Sequence, residues 1–138
     1  MAKENKNLSV NRVVGDLLYT IASCYRYLGN EYRVKVMDYS AAARFVHGLD
    51  IDILLFAERP AGLNKLKDMD ENIAQEIVEY LKTGKINTFE KLKKKVPVGL
   101  LDLMDVNGFG PNTLKIIYEQ LHVNNREELI KAASSLRE

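Results

Sequence analysis

The sequence predicts an all-α fold. Apolar residues recur at helical spacing through nearly the whole chain. Glycine, proline and asparagine fall between those runs, where they stop helices. A hydrophobic content of 46% is enough for a packed core.

The first predicted helix covers residues 8–28. Val10, Val13, Val14, Leu17, Leu18, Ile21, Ala22, Tyr25 and Leu28 form its buried stripe, and Gly29-Asn30 stops it. A second helix is expected over 31–47, with Val36, Tyr39, Ala42, Ala43 and Val46 inward and Gly48 at its end. Residues 50–57 fit a short buried helix opened by an aspartate cap, or a strand; helix is favoured. Pro60-Ala61-Gly62 punctuates the chain before an apolar segment around Leu63 and Leu66. A tight link at Asp68-Met69-Asp70 leads to a helix over 71–82, with Ile73, Ala74, Ile77, Val78 and Leu81 inward and Thr83-Gly84-Lys85 beyond it.

Thr88 is expected to cap a lysine-rich helix reaching Val96, and Pro97 to start the next helix. The helix after Pro111 should end near His122. A last helix over 126–135 should carry Leu129, Ile130 and Ala133 on one side. These elements divide into two small helical subdomains packed together, 1–85 and 86–138.

The chain has 138 residues, with 20 basic and 19 acidic, so its net charge is +1. That excludes the strongly basic balance of a nucleic-acid coat protein, and any electrostatic footprint must come from clustering. Cys24 is the one cysteine, so no internal disulfide forms and no metal framework is suggested. It reads as buried packing on an amphipathic helix. His47 and His122 stand alone near helix ends, as caps or surface residues. The N-terminus is polar without an apolar signal core, and no apolar run approaches the ~20 residues of a membrane span. A soluble, cytoplasmic protein is expected, on the nucleoid in a prokaryote. No nucleophile–base pair stands out, so no enzyme site is read from the residues alone.

The richest motif is Val106-Asn107-Gly108-Phe109-Gly110-Pro111-Asn112-Thr113, set between two apolar helical runs. Two glycines around one apolar residue allow a tight turn, because glycine accepts positive φ freely. Helix N-terminal amides beyond such a turn can bind phosphate. This is the pattern of a helix-hairpin-helix, and it also fits a plain glycine-rich turn. The stretch Leu66-Lys67-Asp68-Met69-Asp70-Glu71-Asn72-Ile73 echoes it, with Met69 matching Phe109 and aspartates in place of the glycines. The echo suggests tandem hairpins.

Three pieces in order carry a more specific likeness: Tyr39-Ser40-Ala41-Ala42-Ala43; Ile73-Ala74-x-x-Ile77-x-Glu79-Tyr80-Leu81-x-Thr83-Gly84-Lys85; and Val96-Pro97-x-Gly99-Leu100 leading to Gly108-Phe109-Gly110-Pro111. From Val10 to Ser134 the chain resembles the N-terminal part of family X DNA polymerases, a small helical domain with one helix-hairpin-helix followed by a fingers subdomain with a second. The resemblance implies that the second hairpin holds a DNA backbone through the amides of Gly108, Gly110, Asn112 and Thr113, around Phe109. It implies a monovalent cation (Na⁺ or K⁺) on the main-chain carbonyls of Met104, Val106 and Phe109, and no other cofactor. Lys35 and Tyr39 match positions that bind the 5′-phosphate side of a gap. Tyr39 also fits core or rim packing, and Lys35 an ordinary surface lysine.

The sequence also departs from the family. Asp68, Asp70, Glu71, Glu76 and Glu79 put five acids and no base across 68–79, which should repel DNA at the first hairpin. Those acids also suit a solvated helix N-terminus. Glu76 stands where the resemblance implies a lyase lysine, and a carboxylate cannot form an imine. Asn72 replaces a phosphate-contacting lysine. The carboxylate-bearing palm that two-metal phosphoryl transfer needs would follow this region, and the chain stops at Glu138. Lys82, Lys85, Lys91, Lys93, Lys94 and Lys95 could line a DNA backbone or form a solvated face. Arg26, Arg33 and Arg44 make a weaker basic area. Lys115 is the one base at the intact hairpin, beside Asp102, Asp105 and Glu119.

The expected function is therefore a non-catalytic, sequence-independent DNA-backbone-binding module, with gapped or nicked duplex as partner and no membrane. One alternative is the N-terminal part of a family X polymerase whose palm is absent from this chain. Another is a protein-interaction scaffold that has lost DNA binding.

Overall fold

The computed structural model describes residues 9–56, 69–106 and 109–136. Among them every regular element is helical and no strand is present, as the sequence predicts. Helix α1 (Ser9–Leu28) turns Val14, Leu18, Ile21 and Cys24 fully inward. Val13, expected inward, is 44% exposed; it lies one residue off the stripe of positions 14, 18, 21 and 25. Gly29 ends α1 at φ 141°, a backbone shape that favours glycine. After a single 3₁₀ turn, α2 (Arg33–His47) packs along α1 through Tyr39, Ala42, Ala43 and Val46. The two helices approach closely: a Cβ on Gly15 would lie 2.4 Å from the His47 ring. Beside it, His47 Nε2 is 2.9 Å from Asp16 Oδ1.

Of the helix expected over 50–57, the described residues 50–56 hold a 3₁₀ turn, Ile53–Phe56, with Ile53 buried and Leu54 and Leu55 exposed. An aspartate does open it, since Asp52 Oδ1 accepts from the Leu54 amide. A buried α1 residue, Asn11, pins the same backbone from outside. Pro60-Ala61-Gly62, Leu63, Leu66 and Asp68 lie outside the described residues.

Helix α3 (Glu71–Thr83) buries Ile73, Ala74, Ile77 and Val78, and Gly84 closes it in the left-handed conformation. Helix α4 (Asn87–Leu92) is shorter than expected, and Ile86, not Thr88, precedes it. Thr88 lies inside the first turn, where its hydroxyl serves another partner. Pro97 leads into a 3₁₀ helix, Val98–Asp105, where an α-helix was expected. Its tighter winding keeps Leu101 and Met104, three apart, on the buried side. Helix α5 (Pro111–Lys115) continues as a π turn over Ile116–Gln120 and stops before His122, at φ 58°. In α6 (Arg126–Leu136), Leu129 and Ala132 pack inward, while Ile130 is 65% exposed and Ala133 also faces out.

One apolar core joins these pieces. Residues of α1, α2 and α3 meet Leu100, Leu101, Met104, Leu114 and Ile117, and α1 packs on both 98–105 and α5. Among the described residues no helix is long and apolar enough to cross a membrane.

Candidate functional site

The two echoing turns differ at their helix starts. Asp70 and Gly110 both precede a helix in extended backbone. Asp70 Oδ2 accepts from its own helix's first amides, Asn72 N at 3.0 Å and Ile73 N at 3.2 Å. Gly110 has no side chain to do this, and no side chain caps α5. The first bond into α5 runs from Leu114 N to the Gly110 carbonyl. Among the described residues the Asn112 and Thr113 amides ahead of it have no acceptor. Among the described residues, its chain neighbours aside, nothing lies within 4 Å of a Cβ built on Gly110. Its φ is −81°, so the positive φ expected of the glycine pair is not needed here; the missing side chain matters instead. Gly108 and Asn107 lie outside the described residues. Met69 is buried, and Phe109 is half-buried against the core. The Phe109 amide donates to the Val106 carbonyl at 2.9 Å.

Two cations flank this turn. Lys115 Nζ donates to the Leu28 carbonyl at 3.3 Å and lies 5.6 Å from the Tyr27 ring centre. Arg26 Nη2 donates to the Met104 carbonyl at 3.2 Å, and Nη1 meets Asp105 Oδ1 at 3.0 Å. Arg26, Lys115, Asn30 and Asn112 line a pocket of ≈ 260 Å³ at the α5 start. Of the three carbonyls implied for a cation, those of Met104 and Val106 thus already accept N–H donors. A second unit charge about 4 Å from the guanidinium would be opposed by about 1 kcal/mol in water and about 4 kcal/mol at an effective dielectric of 20. Among the described residues no cluster of three or more histidine, cysteine or acidic side chains could hold a metal.

The second feature centres on Glu76. Tyr39 donates to Oε1 at 2.5 Å and Thr88 to Oε2 at 2.6 Å, tying α2, α3 and α4 to one carboxylate. Tyr39 is buried, which fits its reading as core packing, and its ring stacks on Tyr25 at 5.8 Å. Lys35 is exposed, with Nζ 5.6 Å from the Tyr25 ring centre. Lys35, Tyr39, Asn72, Gln75, Glu76 and Thr88 border a polar pocket of ≈ 500 Å³.

Burial, then the bond to Glu76, pushes the Tyr39 hydroxyl well above its ordinary 10.0. Burial likewise raises the Cys24 thiol from 9.0 to about 12. Groups raised on folding stabilise the fold fully below their unfolded values and lose that contribution as pH rises through the folded ones. Stability to urea should therefore hold to about pH 9 and fall progressively above it. Tyr39→Phe should reduce that fall; an unchanged slope would show that Tyr39 does not drive it.

The six lysines of 82–95 are all exposed. Lys93 pairs with Glu90, while Lys91 and Lys95 line a ≈ 270 Å³ pocket together with Tyr25, Tyr32 and Lys35. Sequence reasoning noticed Arg26 and Asp105 only as scattered charges. Their pairing spans 79 residues, so no local spacing signals it.

The described residues define an all-helical chain, and comparison with known proteins supports a relationship to family X DNA polymerases. The chain is 32% identical over 117 residues to the DNA polymerase/3'-5' exonuclease PolX of Bacillus subtilis (strain 168). That match takes in 84% of this chain and 20% of the relative, so the chain spans about a fifth of the length of the protein it matches. No family model matches.

Proposed function

We propose that the chain is a non-catalytic module that binds the DNA backbone without sequence specificity, through the second of two helix-hairpin-helix turns. The contrast between Gly110 and Asp70 carries this reading. In one turn the helix amides are taken by the protein's own carboxylate; in the other no side chain caps the helix among the described residues, and Arg26, Asn112 and Lys115 line a pocket at its start. A phosphate oxygen suits such amides. Gly108, Phe109, Gly110, Asn112, Thr113 and Lys115 form the contact, and Lys35 beside Tyr39 offers a second, weaker one. Phosphates alone are read there, so affinity falls with salt and not with sequence. The polymerase relative adds support for DNA as partner, with a gapped or nicked duplex as the favoured form.

Anisotropy titration with gapped, nicked and single-stranded DNA at two salt concentrations tests this. Binding of gapped or nicked duplex that weakens at the higher salt is expected. Absence of binding to every substrate at low salt would refute the reading.

Glu76 supports the non-catalytic part, because its oxygens already hold two hydroxyl protons and offer no amine. Borohydride trapping on an abasic duplex should give no covalent adduct; an adduct would overturn this assignment. Glu76→Ala should leave duplex binding unchanged or tighter, since it removes a negative charge near the backbone path.

A second reading, favoured by the relative's much greater length, makes this region the N-terminal part of a polymerase whose chemistry lies in other residues. A longer reading frame encoding a carboxylate-bearing palm would establish it.

A further inference from the structure

We propose that Arg26 takes the place of a monovalent cation at the second turn, so that phosphate binding there is indifferent to which cation is in solution. The consequence for binding rests on the function proposed above; the geometry does not. The planar guanidinium spans two neighbouring acceptors, the Met104 carbonyl and the Asp105 carboxylate, from a helix 78 residues away. Met104 lies in the last turn of the 3₁₀ helix, where carbonyls lack partners within the helix. The Val106 carbonyl has its own donor in the Phe109 amide.

A free cation at the Met104 oxygen would stand beside a fixed positive charge. The neighbouring carboxylate, Asp105, is already paired with that charge. The residues present therefore do not fit a second cation. They form a built-in one on the wall of the pocket that Lys115 and Asn112 share. Asp105 is 57% exposed and offsets part of the Arg26 charge, so it acts as a brake on phosphate binding.

The test compares gapped-duplex affinity in potassium, sodium and tetraethylammonium chloride at constant ionic strength, with thallium-205 NMR on the DNA-free protein. Wild type should bind equally, within about twofold, in all three salts and should show no thallium site. Arg26→Gln unpairs Asp105 and the Met104 carbonyl. It should gain a thallium site, bind duplex about tenfold more weakly in tetraethylammonium, and recover partly in potassium. Asp105→Asn should tighten wild-type binding about threefold by removing one charge that repels phosphate.

A wild-type thallium site would overturn the proposal. So would wild-type affinity that drops more than about fivefold in tetraethylammonium, or an Arg26→Gln protein that gains no thallium site. The wild-type arms stand whether or not the variant folds. Should wild type bind no duplex in any salt, the DNA reading fails, while the thallium comparison still decides the role of Arg26.

Discussion

Gly110→Asp should abolish gapped-duplex binding, by more than about tenfold in Kd, while leaving the fold intact. The two effects separate because the position is free of packing. A Cβ added there meets nothing within 4 Å among the described residues beyond its chain neighbours, and a φ of −81° suits any residue. The new carboxylate would reproduce what Asp70 does at α3, accepting from the first amides of its own helix. Asp at a helix start is worth a few tenths of a kcal/mol over Gly, so thermal stability should hold or rise slightly. The same carboxylate fills the phosphate seat with like charge, and a tenfold loss corresponds to about 1.4 kcal/mol. Gly110→Ala adds only a methyl and should weaken binding less. Equal binding by wild type and Gly110→Asp would remove the turn from the mechanism.

Asn11→Ala should be the most damaging polar truncation among the described residues, costing about 2–3 kcal/mol. The side chain is 2% exposed. Its Nδ2 donates to the Ile51 carbonyl at 2.7 Å, and its Oδ1 accepts from the Ile53 amide at 2.8 Å. Alanine leaves both backbone groups without those partners, one of them on the fully buried Ile53. Its better helix propensity returns only a few tenths. For a chain of this size the melting temperature should fall by roughly 10 °C. A fall below about 3 °C would mean that water replaces the lost bonds.

Helix placement was legible because period and punctuation agree. Positions 14, 18, 21 and 25 of α1 and 73, 74, 77 and 78 of α3 repeat at helical spacing and are buried. Helix type was not legible. The 3₁₀ winding of Val98–Asp105 and the π turn after Lys115 carry the same apolar residues an α-helix would. Short elements fared worse still. The backbone at Ile51 and Ile53 is held by Asn11, some 40 residues away, which no local window contains. At the candidate site the sequence pointed to the helix starts at Gly110 and Asp70, but for another reason: Gly110 sits at φ −81°, and what sets it apart from Asp70 is the missing side chain. The Arg26–Asp105 pair and the Thr88 bond to Glu76 could not be read, because a lone charge or hydroxyl names no partner.

The hydroxyls held by Glu76 make that carboxylate a knot between three helices. Putting a lysine there would remove the acceptor of a buried phenol and of a threonine on another helix, and would set an ammonium against groups arranged to give protons away. Each hydroxyl also carries lone pairs, so a lysine could be met there only once both turn from donor to acceptor.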